Sequence, residues 1–325
     1  MSLNQNLHQA KTKKEDEFYT QLHDIEKELK YYKKHFKDKV VYCNCDDPRI
    51  SNFFHYFSYN FERLGLSKLY STCYKSQKID LFSDKNSEKA IYLEYSGDIN
   101  NNLVPDTEEI EVINLKGDGD FRSSESIELL EKSDIVVTNP PFSLFREFIL
   151  LLIEKKKKFL IIGSQNAITY KEVFNLIKEN QVWIGYNNGD MAFKVPSHYE
   201  PRKTRYWEDD NGQKWRSMGN ICWYTNLDIL KRHEDLILFK NYNAEEYPKY
   251  DGYDAININK TKDIPIDYNG PMGVPITFLS KYNPDQFEIL GLDDHRLEYP
   301  NWRGRGPELN GKTIYRRVII KNKRI

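Results

Sequence analysis

One five-residue turn, Thr138-Asn139-Pro140-Pro141-Phe142, constrains what can stand on either side of it in this chain. It follows a short apolar run, Asp134-Ile135-Val136-Val137, and precedes a helix-like run from Ser143 to Leu150. Neither proline carries an N–H, and their fixed φ stops a strand from continuing as a central ladder. The residue before each proline is pushed toward extended conformations. Strand, rigid turn and helix are therefore predicted in succession. Main-chain oxygens then point away from the sheet beside the Asn139 amide and the Phe142 ring. Such a floor suits a flat ring that bears an amine.

The chemistry that fits is methylation of an exocyclic amine. The amino nitrogen of adenine is a poor nucleophile because its lone pair is delocalised into the ring. The Asn139 side-chain oxygen and the Pro140 carbonyl can accept its two N–H bonds. Acceptors preorganised where charge develops are typically worth ~2.7–4 kcal/mol each. Pro141 completes the turn, and Phe142 is expected to stack on the base. The plainer alternative is a Pro-Pro turn that only ends a buried strand, with Phe142 as core. The strand before and the helix after supply the context that the short motif needs.

At this point the chain resembles a family. Asn-Pro-Pro-Phe after an apolar strand is similar to the signature of amino-group methyltransferases that use S-adenosylmethionine. Longer strings look like the EcoRI-type adenine-specific DNA methyltransferases: Asp16-Glu17-Phe18-Tyr19-Thr20-Gln21, Val40 to Arg49, Gly117 to Ser124, and Met272 to Phe278. The resemblance covers nearly the whole chain and is least marked over residues 75–110 and 186–219. It implies an α/β fold: a Rossmann-like methyltransferase sheet with helices on both faces, plus a smaller C-terminal DNA-recognition region. It also implies S-adenosylmethionine as cofactor. Phe18, Tyr19 and Thr20 would close the amino-acid end, Cys45, Asp46, Asp47 and Pro48 would form the cofactor turn, and Asp120 and Phe121 would meet the cofactor's adenine. The order of these parts is the arrangement called gamma. Two departures stand out. Ser51-Asn52 occupies a place where glycines are usual, and Cys73-Tyr74-Lys75 replaces the usual ribose-binding acid, so no residue is assigned to the ribose.

The totals fit that picture. The chain has 325 residues, 39% hydrophobic and 30% charged, enough for one large and one smaller domain. We expect a catalytic domain over 1–228, with a loop at 186–219 that contacts DNA, and a target-recognition region over 229–325. No apolar stretch approaches the ~20 residues that span a bilayer. The first residues lack the apolar core of a signal peptide, so a cytoplasmic protein is expected. Cys43, Cys45, Cys73 and Cys222 form no Cys-x-x-Cys pair and have no histidines at zinc-finger spacing. No metal site is expected. None of the four follows a proline, which excludes the Pro-Cys nucleophile of ring-carbon cytosine methylation and leaves an amine as target.

Hydrophobic periodicity predicts helices over 20–36, 51–64, 125–132, 143–154 and from a Thr169/Glu172 capping box to about 180. The stripe Phe53, Phe54, Phe57, Phe61, Leu64 reads as packing, with Gly65 as its stop. Strands are predicted over 39–45, 68–74, 91–93, 110–115, 134–138, 158–163, 181–186 and 220–225. Alternation of strands and helices argues for a mostly parallel sheet, with the cofactor at the carboxyl ends of its strands.

An adenine inside a duplex is unreachable, so the base must be flipped into the pocket. Net charge is only −1, but residues 302–325 carry eight cations against one acid, a local +7 that leaves −8 elsewhere. Two stretches interleave cations with aromatics: Arg202, Lys203, Arg205, Lys214 and Arg216 with Tyr206, Trp207 and Trp215; and Arg303 and Arg305 beside Trp302, leading to Arg316 and Arg317. These are the candidate DNA-binding residues. The expected function is site-specific adenine-N6 methylation of duplex DNA in a restriction–modification setting, by a monomer paired functionally with a restriction endonuclease, at a palindromic hexamer such as GAATTC. Two alternatives stand beside it: an RNA or protein-glutamine methyltransferase of the Asn-Pro-Pro-aromatic class, and a catalytically inactive sequence-specific DNA-binding protein.

Overall fold

In the computed structural model the described residues are 18–45, 51–72, 90–197, 199–293 and 307–325. They divide into two compact units, Met1–Gln165 with Asn187–Leu227, and Asn166–Tyr186 with Asp228–Ile325. Residues 166–186 thus group with the C-terminal part of the chain.

The first unit is built on a large mixed sheet. Its strands are β1 (Tyr19–Thr20), β2 (Val40–Cys43), β3 (Lys68–Thr72), β4 (Ile91–Tyr95), β5 (Ile110–Asn114), β6 (Ile135–Thr138), β7 (Lys158–Ser164), β8 (Trp183–Lys194), β9 (Tyr206–Glu208) and β10 (Lys214–Thr225). The order is β1-β8-β10-β7-β6-β2-β3-β4-β5, with β9 on β10. Strands β3, β2, β6 and β7 are parallel. Val41, Tyr42, Val136, Val137 and Phe159 to Ile162 are buried at consecutive positions. Runs of this kind need cover on both faces of a sheet. The flanking helices are α1 (Leu22–Leu29), α2 (Asn52–Tyr59), α3 (Phe61–Leu64), α4 (Ser124–Lys132) and α5 (Phe145–Glu154).

The sheet is less parallel than the alternation suggests. β4 runs antiparallel to β3, β5 antiparallel to β4, and β10 antiparallel to β7. A parallel pair needs a long crossover, usually a helix. Between β4 and β5 lie only 14 residues without helix, so the pair closes as a hairpin. The stretch 186–219, read as a loop, is instead largely strand, because β8 continues to Lys194 and β10 begins at Lys214. The phenylalanine stripe is core as expected: Phe53, Phe54, Phe57, Phe61 and Leu64 are all buried. Asn60 divides the predicted single helix, its side chain turning back to the Tyr56 carbonyl at 2.7 Å. Gly65 then ends α3 at φ 64°, the left-handed conformation that glycine reaches without strain.

The second unit contains α6 (Lys171–Lys178) and strands β11 (Ile256–Asn257), β12 (Met272–Pro275), β13 (Phe287–Leu292), β14 (Glu308–Leu309), β15 (Lys312–Thr313) and β16 (Arg317–Asn322). Its four-stranded sheet has the order β11-β12-β16-β13. The capping box does not form. Thr169 Oγ1 donates to the Asn166 carbonyl at 2.8 Å within a 3₁₀ turn, and α6 starts two residues later behind Tyr170. The basic C-terminal stretch is not a loose tail, since β16 lies inside the sheet with Val318, Ile319 and Ile320 buried.

Packing is tight where β7 passes α5. A Cβ built on Gly163 would sit 2.4 Å from the Phe145 ring, and Phe145 is itself fully buried. Overpacking of a closed core typically costs ~1–3 kcal/mol. Gly163→Ala is expected to lower the free energy of unfolding by that amount, measured by urea unfolding against the native chain.

Candidate active site

The Asn-Pro-Pro-Phe turn leaves β6 where the sequence places it, at the carboxyl end of a central parallel strand. Asn139 and Pro140 are buried, whereas Pro141 and Phe142 are half-buried. The Asn139 Nδ2 donates to the main-chain carbonyl of Phe18 at 2.6 Å. Only an N–H can donate to that carbonyl, which fixes which end of the amide is which. Asn139 Oδ1 therefore faces the other way, and it is buried without a hydrogen-bond partner. Two neighbours share this state: Thr138 Oγ1, one residue earlier, and Thr20 Oγ1 on the segment that Asn139 holds. A buried acceptor left unpaired costs roughly 1–3 kcal/mol. Such atoms call for a ligand.

Aromatic rings line the same place. Phe18 stacks on Phe142 with centroids 5.4 Å apart and planes 24° from parallel. Phe193 meets Phe18 at 5.6 Å and Phe142 at 6.3 Å, and Tyr199 meets Phe18 at 6.1 Å. A flat base between two rings needs about 7 Å, two van der Waals contacts of ~3.5 Å. The space between Phe18 and Phe142 is thus too narrow for a flat ring to enter with both rings in place.

The segment Phe18 to Thr20 is held from three sides. Tyr19 and Thr20 pair with Lys194 and Phe193 of β8. Asn139 binds the Phe18 carbonyl, and Asn52 Nδ2 donates to the Thr20 carbonyl at 2.7 Å. Ser51 caps α2, its Oγ accepting from Phe53 N at 3.2 Å and Phe54 N at 3.4 Å. The pair Ser51-Asn52, found where glycines are usual, thus starts a helix and fastens the strap. Residues Asp46, Asp47 and Pro48 lie outside the described residues. Cys45, just before them, is half-buried with its Sγ donating to Asn44 Oδ1 at 3.6 Å.

Asp120 and Phe121 follow β5. The Asp120 carboxylate accepts from Arg122 N at 2.9 Å, Nε at 2.8 Å and Nη2 at 2.6 Å. The same guanidinium reaches Glu147 Oε1 at 3.1 Å and lies 5.2 Å from the Phe121 ring centroid. Asp120, above all, holds the Arg122 guanidinium above its ordinary pKa. Phe121 is buried edge-to-face on Phe148 at 5.1 Å. This clamp orients the Asp120 carboxylate. Sequence reasoning gave no role to Arg122, Asn52, Phe193 or Tyr199. For Phe193, the alternation Met191-Ala192-Phe193 that marks a strand was the available signal.

The candidate DNA-binding cations divide by environment. Arg202 lies 5.6 Å from the Tyr199 ring centroid, and Lys203 is exposed. Arg205, at φ 56°, pairs through Nη1 with Asp190 at 2.8 Å, both side chains being solvent-facing. Lys214 Nζ donates to the carbonyls of Ser197 at 2.6 Å and Tyr199 at 3.2 Å. Arg216 Nη1 donates to the carbonyls of Thr204 and Arg205. Lys214 and Arg216 thus bind the 197–205 crossover to β10. Arg303 and Arg305 lie outside the described residues. Arg316 is half-buried; Arg317 is buried, its Nη1 donating to the Tyr315 carbonyl at 2.9 Å.

The turn that presents Asp120 hangs on Glu125, whose carboxylate accepts from Lys116 N at 3.0 Å and Gly117 N at 2.8 Å. The Lys116 bond first, then the Gly117 bond, lower its pKa from 4.5. A depressed carboxylate gives stability that is fully present above its unfolded value and is lost as pH falls through its lower folded value. Glu125→Gln is expected to be less stable than the native chain at neutral pH, and the gap should close below pH 4.5. Urea midpoints measured across that range check this; a gap of constant size overturns it.

Known proteins converge on the same reading. A model of the family described as adenine-specific methyltransferase EcoRI matches residues 6–323. The chain is 56% identical to the type II methyltransferase M.EcoRI of Escherichia coli, covering 99% of this chain and 98% of that protein. It is 41% identical to the type II methyltransferase M.MgeORF184P of Mycoplasma genitalium, over 97% of this chain and 98% of the relative. Identity to the type II methyltransferase M.MpnI of Mycoplasma pneumoniae is 39%, over 97% of each. No solved structure matches the chain. An unpaired amide oxygen behind an Asn-Pro-Pro-Phe turn is thus set in a chain that, over nearly its whole length, belongs to the EcoRI family of adenine-specific methyltransferases.

Proposed function

We propose that this protein methylates the N6 amine of a flipped adenine in duplex DNA, as the modification enzyme of a type II restriction–modification system, with GAATTC as its site. The observation that carries the reading is Asn139 Oδ1, a buried acceptor without a partner at the end of β6. The two N–H bonds of the adenine amine go to this oxygen and to the Pro140 carbonyl, the pair of acceptors that the turn supplies. As the nitrogen becomes cationic, both oxygens stabilise it without having to move. Neither is basic enough to take the surplus proton, which leaves the nitrogen to solvent. Phe142, half-buried and stacked on Phe18, offers the base an aromatic contact.

S-adenosylmethionine fits as the donor and supplies a methyl group on a cationic sulfur, so no covalent enzyme intermediate is needed. The residues that would hold it are Phe18, Tyr19, Thr20, Cys45, Asp46, Asp47, Pro48, Asp120 and Phe121. The unpaired hydroxyls of Thr20 and Thr138 suit a polar ligand at that strand end. Arg202, Lys203 and Arg205, on or beside the 197–205 crossover, are the cations proposed to meet DNA phosphates, with Arg303 and Arg305. Lys214, Arg216, Arg316 and Arg317 belong to the same proposal in a supporting capacity, three of them through the carbonyls they bind. The described residues contain no helix long and apolar enough to cross a membrane. Action in the cytoplasm, as a monomer beside a cognate endonuclease, completes the reading.

Asn139→Ala is expected to cut methyl transfer by at least about 100-fold, the scale of losing a preorganised partner of developing charge, while duplex binding is retained. Turnover near the native rate in single-turnover assays overturns the role given to Asn139. Sequencing of methylated adenines in DNA from cells that express the chain tests the site, and parallel assays on structured RNA and protein test the substrate class. Methylation confined to another hexamer overturns GAATTC alone.

A further inference from the structure

The loop between β4 and β5 takes no part in the reaction above, yet its sequence is built for a task. Residues 98–109 read Asp-Ile-Asn-Asn-Asn-Leu-Val-Pro-Asp-Thr-Glu-Glu. A twelve-residue calcium loop draws oxygen ligands from positions 1, 3, 5, 7 (main chain), 9 and 12, with an acid at the first and a glutamate at the last. Asp98, Asn100, Asn102, the Val104 carbonyl, Asp106 and Glu109 fall on those six positions in order. Position 6 normally requires glycine for a sharp turn. Leu103 stands there instead, and it adopts φ 61°, the left-handed conformation glycine would supply.

A second observation, independent of the spacing, points to a ligand. Glu109 is only 7% exposed. Its Oε1 accepts from Ile99 N at 2.6 Å and Asn100 N at 3.1 Å, which holds the carboxylate against the start of the loop. Its Oε2 is buried and has no hydrogen-bond partner. A buried carboxylate with one empty oxygen is costly unless a cation or donor completes it. No protein cation does so. Residues 96–115 contain five carboxylates and neither lysine nor arginine. None of the ion pairs among the described residues engages Asp98, Asp106 or Glu109.

We propose that residues Asp98 to Glu109 form a calcium-binding loop at the edge of the large sheet. Among the described residues no three His, Cys, Asp or Glu side chains already converge as a metal centre. In this loop half the ligands are amide or main-chain oxygens. Asn100 and Asn102 here turn their N–H ends to Asp106 Oδ2, at 2.8 and 3.0 Å. Rotation of the two amides brings their oxygens inward, and the arriving cation replaces their N–H groups as the partner of Asp106. The all-oxygen donor set suits a hard cation better than zinc or copper. Its mixture of carboxylates and amides on a flexible turn suits calcium's six to eight ligands better than the strict octahedron of magnesium. The cysteine and histidine spacings that led us to expect no metal bear on zinc alone.

The test uses the full-length protein freed of divalent ions with a chelator. Terbium is bound first and displaced with calcium chloride; Tyr95, three residues before Asp98 and 2% exposed, is a sensitiser for its luminescence. Thermal unfolding is followed in parallel. The expected result is a calcium-dependent rise in midpoint with half-saturation on the order of 10⁻⁴–10⁻³ M, the weak end of the range for such loops. Glu109→Gln and Asp98→Asn, each preserving side-chain volume, should weaken calcium binding about tenfold or more and leave methyl transfer unchanged. Absence of both the terbium signal and the calcium shift in the native chain overturns the proposal, as does unchanged calcium affinity in both variants. An equal shift with magnesium chloride at the same concentration overturns the choice of calcium.

Discussion

A single amide does two jobs at the centre of this molecule. The N–H end of Asn139 fastens the Phe18 carbonyl, a residue 121 positions earlier, and this commits the oxygen end to face where no protein donor stands. Had both ends been satisfied by the protein, the turn would be a structural knot with nothing to offer an amine. Had neither been, the oxygen would be free to rotate away. Preorganisation of this kind is what lets an acceptor stabilise developing charge without reorganising first.

The same bond explains why the strap residues are where they are. Within Phe18 to Thr20 only Tyr19–Thr20 is strand, too short to hold its place by ladder bonds alone. Its register on β8, the Asn139 bond at one carbonyl and the Asn52 bond at another fix it. Once fixed, it brings the Phe18 ring onto Phe142 and Phe193, and the aromatic wall follows. Asn52 could act because Ser51, rather than glycine, begins α2. A departure from the wider methyltransferase pattern becomes a fastening in this chain.

Much of this was legible in the sequence, for identifiable reasons. The strand, turn and helix around Asn139 follow from two adjacent prolines and a run of β-branched residues, signals that are local. The phenylalanine stripe of α2 and α3 follows from periodicity. What escaped were features set by distant partners. The antiparallel strands β4 and β5 depend on the absence of a crossover helix, which a polar stretch does not announce. The length of β8 was hidden because Asn187-Asn188-Gly189-Asp190 reads as a turn, although the strand passes through it. Thr169 and Glu172 show the capping pattern, yet Thr169 turned to a carbonyl behind it. Nor does a sequence show what a cation will hold: Arg122 clamps Asp120, Lys214 and Arg216, read as candidate DNA-binding residues, also bind main-chain oxygens, and Arg324 pairs with Asp235.

A sequence shows which residues are polar but not which of them the fold leaves unsatisfied, and that difference is where function separates from stability. Folded domains retain only about 5–15 kcal/mol of net stability. Each buried, unpaired oxygen costs roughly 1–3 kcal/mol of it. Asn139, Thr138 and Thr20 carry three such atoms on two short, joined segments, and Glu109 carries a fourth on the β4–β5 loop. Valine in place of either threonine would remove that cost at nearly the same volume. Folding alone therefore favours apolar residues at those two positions. The polar groups kept at these places fit the roles we propose for them, holding an amine at the end of β6 and a cation on the β4–β5 loop.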